Sequence, residues 1–306
     1  MAHERYERQV ELLARIIPVV SEEACFALKG GTAINLFCRD LPRLSVDIDL
    51  VFLPIKDRAE SLAEIDAALE RIRGRIEATI PGTRAQRVAG GGGGETRVLA
   101  RRAAAEIKIE VSPVARGVVH APARRPFMPS VEDRFGFVEA LVASFGDLFG
   151  GKMHAALDLQ HPRDLFDIKL LYENEGLTDA LFRTFQVYVA GSGRPPHELL
   201  RPTLAPLDGP YATEFEGMTN VAVPLAALAE ARARLIADIK SRLGDPTRNF
   251  LLSLHDAEPD FDLLGLPQAA RLPAVRWRLQ NLAKLKQDDP AKHAEQRAAI
   301  ESLWAE

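Results

Sequence analysis

This sequence predicts an α+β (α/β) protein, strand-rich from 1 to 130 and helical from 131 to 306. Three observations carry that expectation. Apolar and polar residues alternate at period two in "VDIDLVFL" (46–53) and "EIKIEVSPV" (106–114), the pattern of strands with one buried face. Helical spacing of apolar residues marks 4–18 and 56–79, and dominates from Val131 onward, broken by Pro/Gly stretches at 191–210 and 244–247. A chain of 306 residues is also too long for most single cores, which favours two domains, 1–130 and 131–306.

Taken in order, Val10, Leu12, Leu13, Ile16 and Ile17 form the apolar face of a first helix. "FALKGG" reads as a short strand entering a turn. Thr32 follows as the expected N-cap of a helix carrying Ile34, Leu36 and Phe37, which Pro42 ends. "VDIDLVFL" is the returning strand, and 56–79 a long charged helix. Segments 83–89 and 96–103 read as two strands joined by "AGGGGGE". Its five glycines lack the Gly-Lys-Ser/Thr ending of a phosphate loop and make a hairpin tip. Strand 106–114 ends at Pro113, and the Pro/Arg-rich stretch 120–130 is expected to be loop.

Composition excludes several classes. No apolar run reaches the roughly 18 residues of a membrane span, and the charged start carries no signal-peptide pattern, so a cytoplasmic protein is expected. Cys25 and Cys38 are too few for a disulfide framework or a structural zinc site and are expected to be buried. A net charge of -4 means that any nucleic acid must be held by a local basic face. Arginines cluster at 71–75, 84–87, 97–102 and 116–125. A further basic group, Arg271, Arg276, Arg278, Lys284 and Lys286, lies around Trp277; basic residues interleaved with an aromatic can bind single-stranded nucleic acid through phosphates and stacking, but the indole is expected to pack inside a solvated helix.

The stretch "FALKGGTAINLFCRDLPRLSVDIDLVF" concentrates the chemistry. On a strand Asp47 and Asp49 project to the same side, about 6.6 Å apart. Two such carboxylates repel unless a cation lies near, and hard oxygen donors suit magnesium, which completes its shell with water and phosphate. Upstream, Gly30 and Gly31 let backbone approach a phosphate, and Thr32 adds a hydroxyl at a helix start. A phosphate seat beside a metal seat is what a metal-bound nucleoside triphosphate requires. Glu110, on the polar face that it shares with Glu106 and Lys108, supplies a third carboxylate for a two-metal set about 4 Å across. Singly, an Asp-x-Asp is the wet side of an edge strand and Gly-Gly-Thr a turn with a cap; their order makes the site. His154, Asp158 and His161 do not: only the first two share a helix face, and no third ligand follows.

"LKGGTAINLF" and "LPRLSVDIDLVFLP" resemble the AbiEii/AbiGii (MenT-like) toxin family of the DNA polymerase beta-like nucleotidyltransferases. "SFGDLFGGKMHAALDLQHPRDLFDIKLL" (144–171) is similar to the family's helical motif, and "RLPAVRWRLQNLAKLK" (271–286) to its C-terminal helix. Threonine stands at position 32 where many relatives have serine, with a longer interval to the first aspartate. The resemblance implies a nucleotidyltransferase fold with a mixed β-sheet flanked by helices, followed by a mainly helical domain. It implies Asp47, Asp49 and Glu110 as ligands of two Mg2+ ions (or Mn2+), and Gly30, Gly31, Thr32, Ser45 and Lys152 at the nucleotide. Lys152 and Asp167 complete the catalytic set, Asp167 orienting Lys152 or taking a proton; Asp164 is expected to favour the helix dipole only. The expected activity is transfer of NMP from an NTP to a hydroxyl, at the 3′ end of tRNA, by a toxin with a cognate antitoxin. A protein or small-molecule acceptor, or a non-catalytic binding protein of this fold, are the alternatives.

Overall fold

The computed structural model describes residues 2–89 and 96–305; the glycine run read as a hairpin tip lies outside them. The chain divides into two compact units after Ser144. The expected boundary is at 130, whereas one strand beyond it, Glu139–Val142, belongs to the first unit's sheet.

In the first unit, α1 (Ala2–Ser21), β1 (Phe26–Lys29), α2 (Gly30–Phe37), β2 (Ile48–Phe52), α3 (Arg58–Thr79), β3 (Thr83–Val88), β4 (Arg97–Arg102), β5 (Ala105–Val111), β6 (Ala123–Pro126), α4 (Pro129–Phe135) and β7 (Glu139–Val142) follow one another. The described strands form one seven-stranded mixed sheet in the order β3-β4-β5-β2-β1-β7-β6. β2 runs parallel to β5 and β1 parallel to β7, while the other neighbours are antiparallel. β6 and β7 correct the expectation of loop and helix there. Each has four residues, too few for a visible period, and their pairing with one another and with β1 makes them strands. β2 begins at Ile48, so Asp47 stands just ahead of the strand.

Alternation in β5 is as read: Ile107, Ile109 and Val111 are fully buried while Glu106, Lys108 and Glu110 point the other way. The buried face meets α1, whose Leu12, Leu13, Ile16 and Ile17 are also buried. Each such side chain removed from water contributes about 1.5–3 kcal/mol. α3 packs on β3 and β4 through Ile65, Leu69, Ile72 and Ile76. With that face covered, the polar face of β2 and β5 is left for chemistry. Cys25 and Cys38 are half-buried and form no disulfide; burial pushes the Cys25 thiol up to about 11.

The second unit is helical: α5 (Phe145–Asp158), α6 (Pro162–Asn174), α7 (Asp179–Ala190), α8 (Pro196–Leu200), α9 (Asp208–Glu214), α10 (Leu225–Ser241), α11 (Asp245–His255), α12 (Pro273–Asp288) and α13 (Pro290–Glu301), with short 3-10 turns between. α5 packs on α6 and α7 around Phe149, Met153, Leu165 and Phe185. The stacked imidazoles of His255 and His293 tie α11 to α13: each ring Nε2 lies within 3.0 Å of the other residue's backbone carbonyl, their centroids 4.2 Å apart.

Candidate active site

Both glycines of the turn are closely approached by side chains, and Gly30 is further held by its backbone. Gly30 has φ +72°, a left-handed backbone that side chains resist, and a Cβ there would stand 2.4 Å from Asp49 Oδ2. A Cβ on Gly31 would stand 2.8 Å from both a terminal nitrogen of Arg43 and Ser45 Oγ. The turn therefore lets Asp49 lean over one glycine and the Arg43–Ser45 segment close over the next. Helix α2 starts at Gly30 with Lys29 as its N-cap and no side-chain cap bond. Thr32 is thus not the expected N-cap but lies inside the first turn. Its buried hydroxyl donates to the Asp47 carbonyl and stands 3.1 Å from Ser45 Oγ, which pins the segment leading into β2. Arg43 is buried and donates to the Leu44 carbonyl at 3.0 Å.

Register brings the acids together. Asp49 lies opposite Glu110 in the parallel β2–β5 ladder and opposite Lys29 in the β1–β2 ladder, so all three share a sheet face. Lys108, two residues before Glu110, places its ammonium 3.3 Å from Asp47 Oδ2 and 3.3 Å from Glu110 Oε2. Arg97, opposite Glu110 on β4, reaches Glu110 Oε1 at 2.6 and 2.7 Å. Burial opposes ionisation of Glu110, but hydrogen bonds from Arg97 and Lys108 outweigh it and hold its pKa below the usual carboxylate range. Burial likewise works against the Lys108 charge, and the Asp47 and Glu110 carboxylates overcome it, raising its pKa. For Lys29 burial wins over Asp49 and Glu110, and its pKa falls.

The three carboxylates therefore converge, although not as a ready-made cage. Among the described residues no three acidic, histidine or cysteine side chains stand at metal-ligand spacing, and the Lys108 ammonium lies between Asp47 and Glu110. An all-oxygen donor set with a cation held in it fits a hard divalent ion.

The second unit gathers its own polar cluster. Lys152 on α5 lies 2.7 Å from Asp164 Oδ1 and 3.1 Å from Asp167 Oδ2, both on α6; Lys152 and Asp167 are buried. Asp167 holds Lys152 as expected, but Asp164 does so too, correcting its reading as a dipole-favouring acid alone. Gly150 and Gly151 serve packing between helices. Added Cβ atoms would meet the Tyr188 ring at 3.2 Å and, for Gly150, the Phe185 backbone nitrogen at 3.3 Å. Tyr188 donates to Asp147 Oδ1 at 3.0 Å, and burial, reinforced by the Asp147 charge, raises its pKa well above the usual value. Asp158 pairs with Arg194 at 2.8 Å, and His161 caps α6 by accepting from the Arg163 amide. Those contacts give both side chains structural employment.

A profile of the AbiEii family, nucleotidyl transferase toxins of type IV toxin–antitoxin systems, matches residues 11–281. The chain belongs to that family. Among solved structures this AbiEii toxin is similar to MenT4, the nucleotidyltransferase toxin Rv2826c of Mycobacterium tuberculosis H37Rv. The two share 18% identity and a TM-score of 0.57, over 92% of this chain and 94% of that one; the likeness is one of fold. No curated protein sequence matches. No described helix of the toxin is long and apolar enough to cross a membrane.

The nucleotidyltransferase core of this toxin sets four basic side chains, Lys29, Arg43, Arg97 and Lys108, at this site, where sequence reading gave them no role. Lys108 carried the clearest signal, sitting at i−2 from Glu110 on an alternating strand. Lys29 directly precedes the glycine turn. Arg97 and Arg43 carried none, since their approach depends on strand register and on the path of the 38–47 loop.

Proposed function

We propose that this toxin transfers a nucleoside monophosphate from an NTP to the 3′-terminal hydroxyl of a tRNA in the cytoplasm, releasing pyrophosphate. The observation that carries the proposal is the in-register Asp49–Glu110 pair, with Asp47 beside it, above the Gly30–Gly31 turn. Asp47, Asp49 and Glu110 are the side chains that would hold magnesium. A bound divalent ion supplies Lewis-acid polarisation of the α-phosphate and a lowered pKa for the attacking hydroxyl.

The chain's own residues do the rest. The helix start at Gly30–Gly31 offers amides to phosphate oxygens, with Ser45 and Arg43 beside Gly31 and Thr32 holding that segment in place. Lys29 and Lys108 offset charge on the acidic face. The acceptor oxygen forms a bond to the α-phosphorus as the bridging α–β bond breaks. Through the family motif Lys152 is assigned to the departing pyrophosphate, and its pairing with Asp164 and Asp167 supports a fixed, oriented ammonium. Positioning and charge neutralisation supply the acceleration.

The test is incubation of the purified toxin with each labelled NTP and, separately, pooled tRNA, total protein and an aminoglycoside, beside Asp47→Ala. Label on the tRNA 3′ end, absent with Asp47→Ala, is the expected result. Label on protein or drug alone would replace the acceptor, and no label on any acceptor would defeat the transfer reaction itself.

A further inference from the structure

Helix α12 presents an unusual surface. Trp277, expected in the interior, is 54% exposed. Val275 and Leu282 turn inward and anchor the helix, with Trp277 off that stripe. Gln280, Asn281 and Lys284 follow Trp277 at i+3, i+4 and i+7, which places them on its face of the helix, and all are exposed. The face on the C-terminal side of the indole therefore carries two amides and an ammonium, with Pro273 and Ala274 on its N-terminal side. Arg276 is exposed on one flank, Lys286 lies half a turn away on the opposite side of the helix, and no carboxylate occurs in α12 before Asp288. Arg278 is turned back to donate to the Gly193 carbonyl at 3.0 Å, which fixes the helix to its own unit.

We infer that this strip of α12 is a docking site for single-stranded RNA, one unpaired base stacking on Trp277 while Lys284 and Arg276 neutralise its phosphates. The chemistry is specific to that occupant. An open indole offers a stacking platform that any unpaired base can use, amides pair with base edges, and a carboxylate-free run of cations suits a polyanion on a chain whose net charge is -4. A duplex keeps its base faces stacked on one another and has none to offer the ring. The inference deepens the proposed reaction, whose acceptor is an RNA end, and rests on it for the choice of RNA over DNA.

The experiment needs neither NTP nor turnover, so it fails independently of that reaction. Fluorescence anisotropy would compare a labelled RNA bearing an unpaired 3′ tail with the blunt duplex of the same stem, using the full chain, Trp277→Ala, Trp277→Phe and Lys284→Gln. Thermal melts would establish that each variant is folded. The tailed RNA is expected to bind more tightly. Trp277→Ala should lose about tenfold, the scale of one base–aromatic stack, with Trp277→Phe in between. Lys284→Gln should lower the salt slope by about 0.7, one single-strand phosphate contact. Equal binding of tailed and blunt RNA, or unchanged affinity in folded Trp277→Ala, would overturn the inference. So would a Trp277→Ala variant that keeps its RNA affinity and loses the cognate antitoxin, which would make the strip a protein interface.

Discussion

Gly30 and Lys108 decide most at the scale of single residues. Gly30→Ala adds a Cβ where Asp49 already is, on a backbone that costs a side chain about 1–2 kcal/mol even in open space. The variant is expected to lower the melting temperature and to abolish transfer, because the acid must move to make room. Loss of stability with full activity would show that Asp49 is not confined there. Lys108→Met removes the ammonium between Asp47 and Glu110. Mn2+ titrated calorimetrically into this variant should bind more tightly than to the unmodified toxin, since the ion no longer competes with a resident cation; weaker binding would mean that Lys108 helps to position the ligands. The acids were readable because alternation states which way a strand residue points. Arg43 and Arg97 were not, because a guanidinium on a long stem reaches its target through tertiary neighbours, for which the sequence holds no local period.

Among elements, the α5–α7 contact depends on a glycine pair. Gly150–Gly151, beside Lys152, accommodates the Tyr188 ring and, at Gly150, the α7 backbone. Gly150→Leu should therefore overpack the helix junction and cost about 1–3 kcal/mol in chemical denaturation, well beyond what the gain in helix propensity offsets. A neutral or stabilising outcome would show the helices free to part. Long elements such as α1, α3 and β5 were legible, since each repeats its pattern several times. "ARRP" and "EALV" were not: four residues show at most two turns of a period, and hydrogen bonds from neighbouring strands settle their state. Trp277 had a usable signal that was outweighed, for Val275, Leu279 and Leu282 mark an inward stripe that leaves the indole outside it.

For the molecule as a whole, acid should act in two stages. Burial lowers the His255 pKa, so the unfolded chain takes up its proton first. The corresponding stability is complete above the ordinary histidine value of about 6.5 and drains away as pH falls through and below it. Glu23, bonded by Arg71 and Arg75, and Glu110 have lowered pKa values, so their contributions are present above about 4.5 and are lost as pH falls further. Denaturant midpoints measured from pH 8 to pH 3 should show a shallow decline below about 6.5 and a steeper one below about 4.5. His154 and His197 are lowered by burial too, so His255→Gln should weaken the first stage and leave the second intact; a midpoint flat down to pH 5 in the unmodified toxin would mean that burial of these imidazoles carries no such cost.

The space denied to a side chain at Gly30 has a genetic corollary. The turn and the acid that overhangs it cannot drift separately, so damage to either should disarm the protein alike. If the toxin is forced on cells without its antidote, survivors should carry lesions at codon 30 about as readily as at codon 49, and sequencing such colonies would reveal the coupling without an assay of the chemistry.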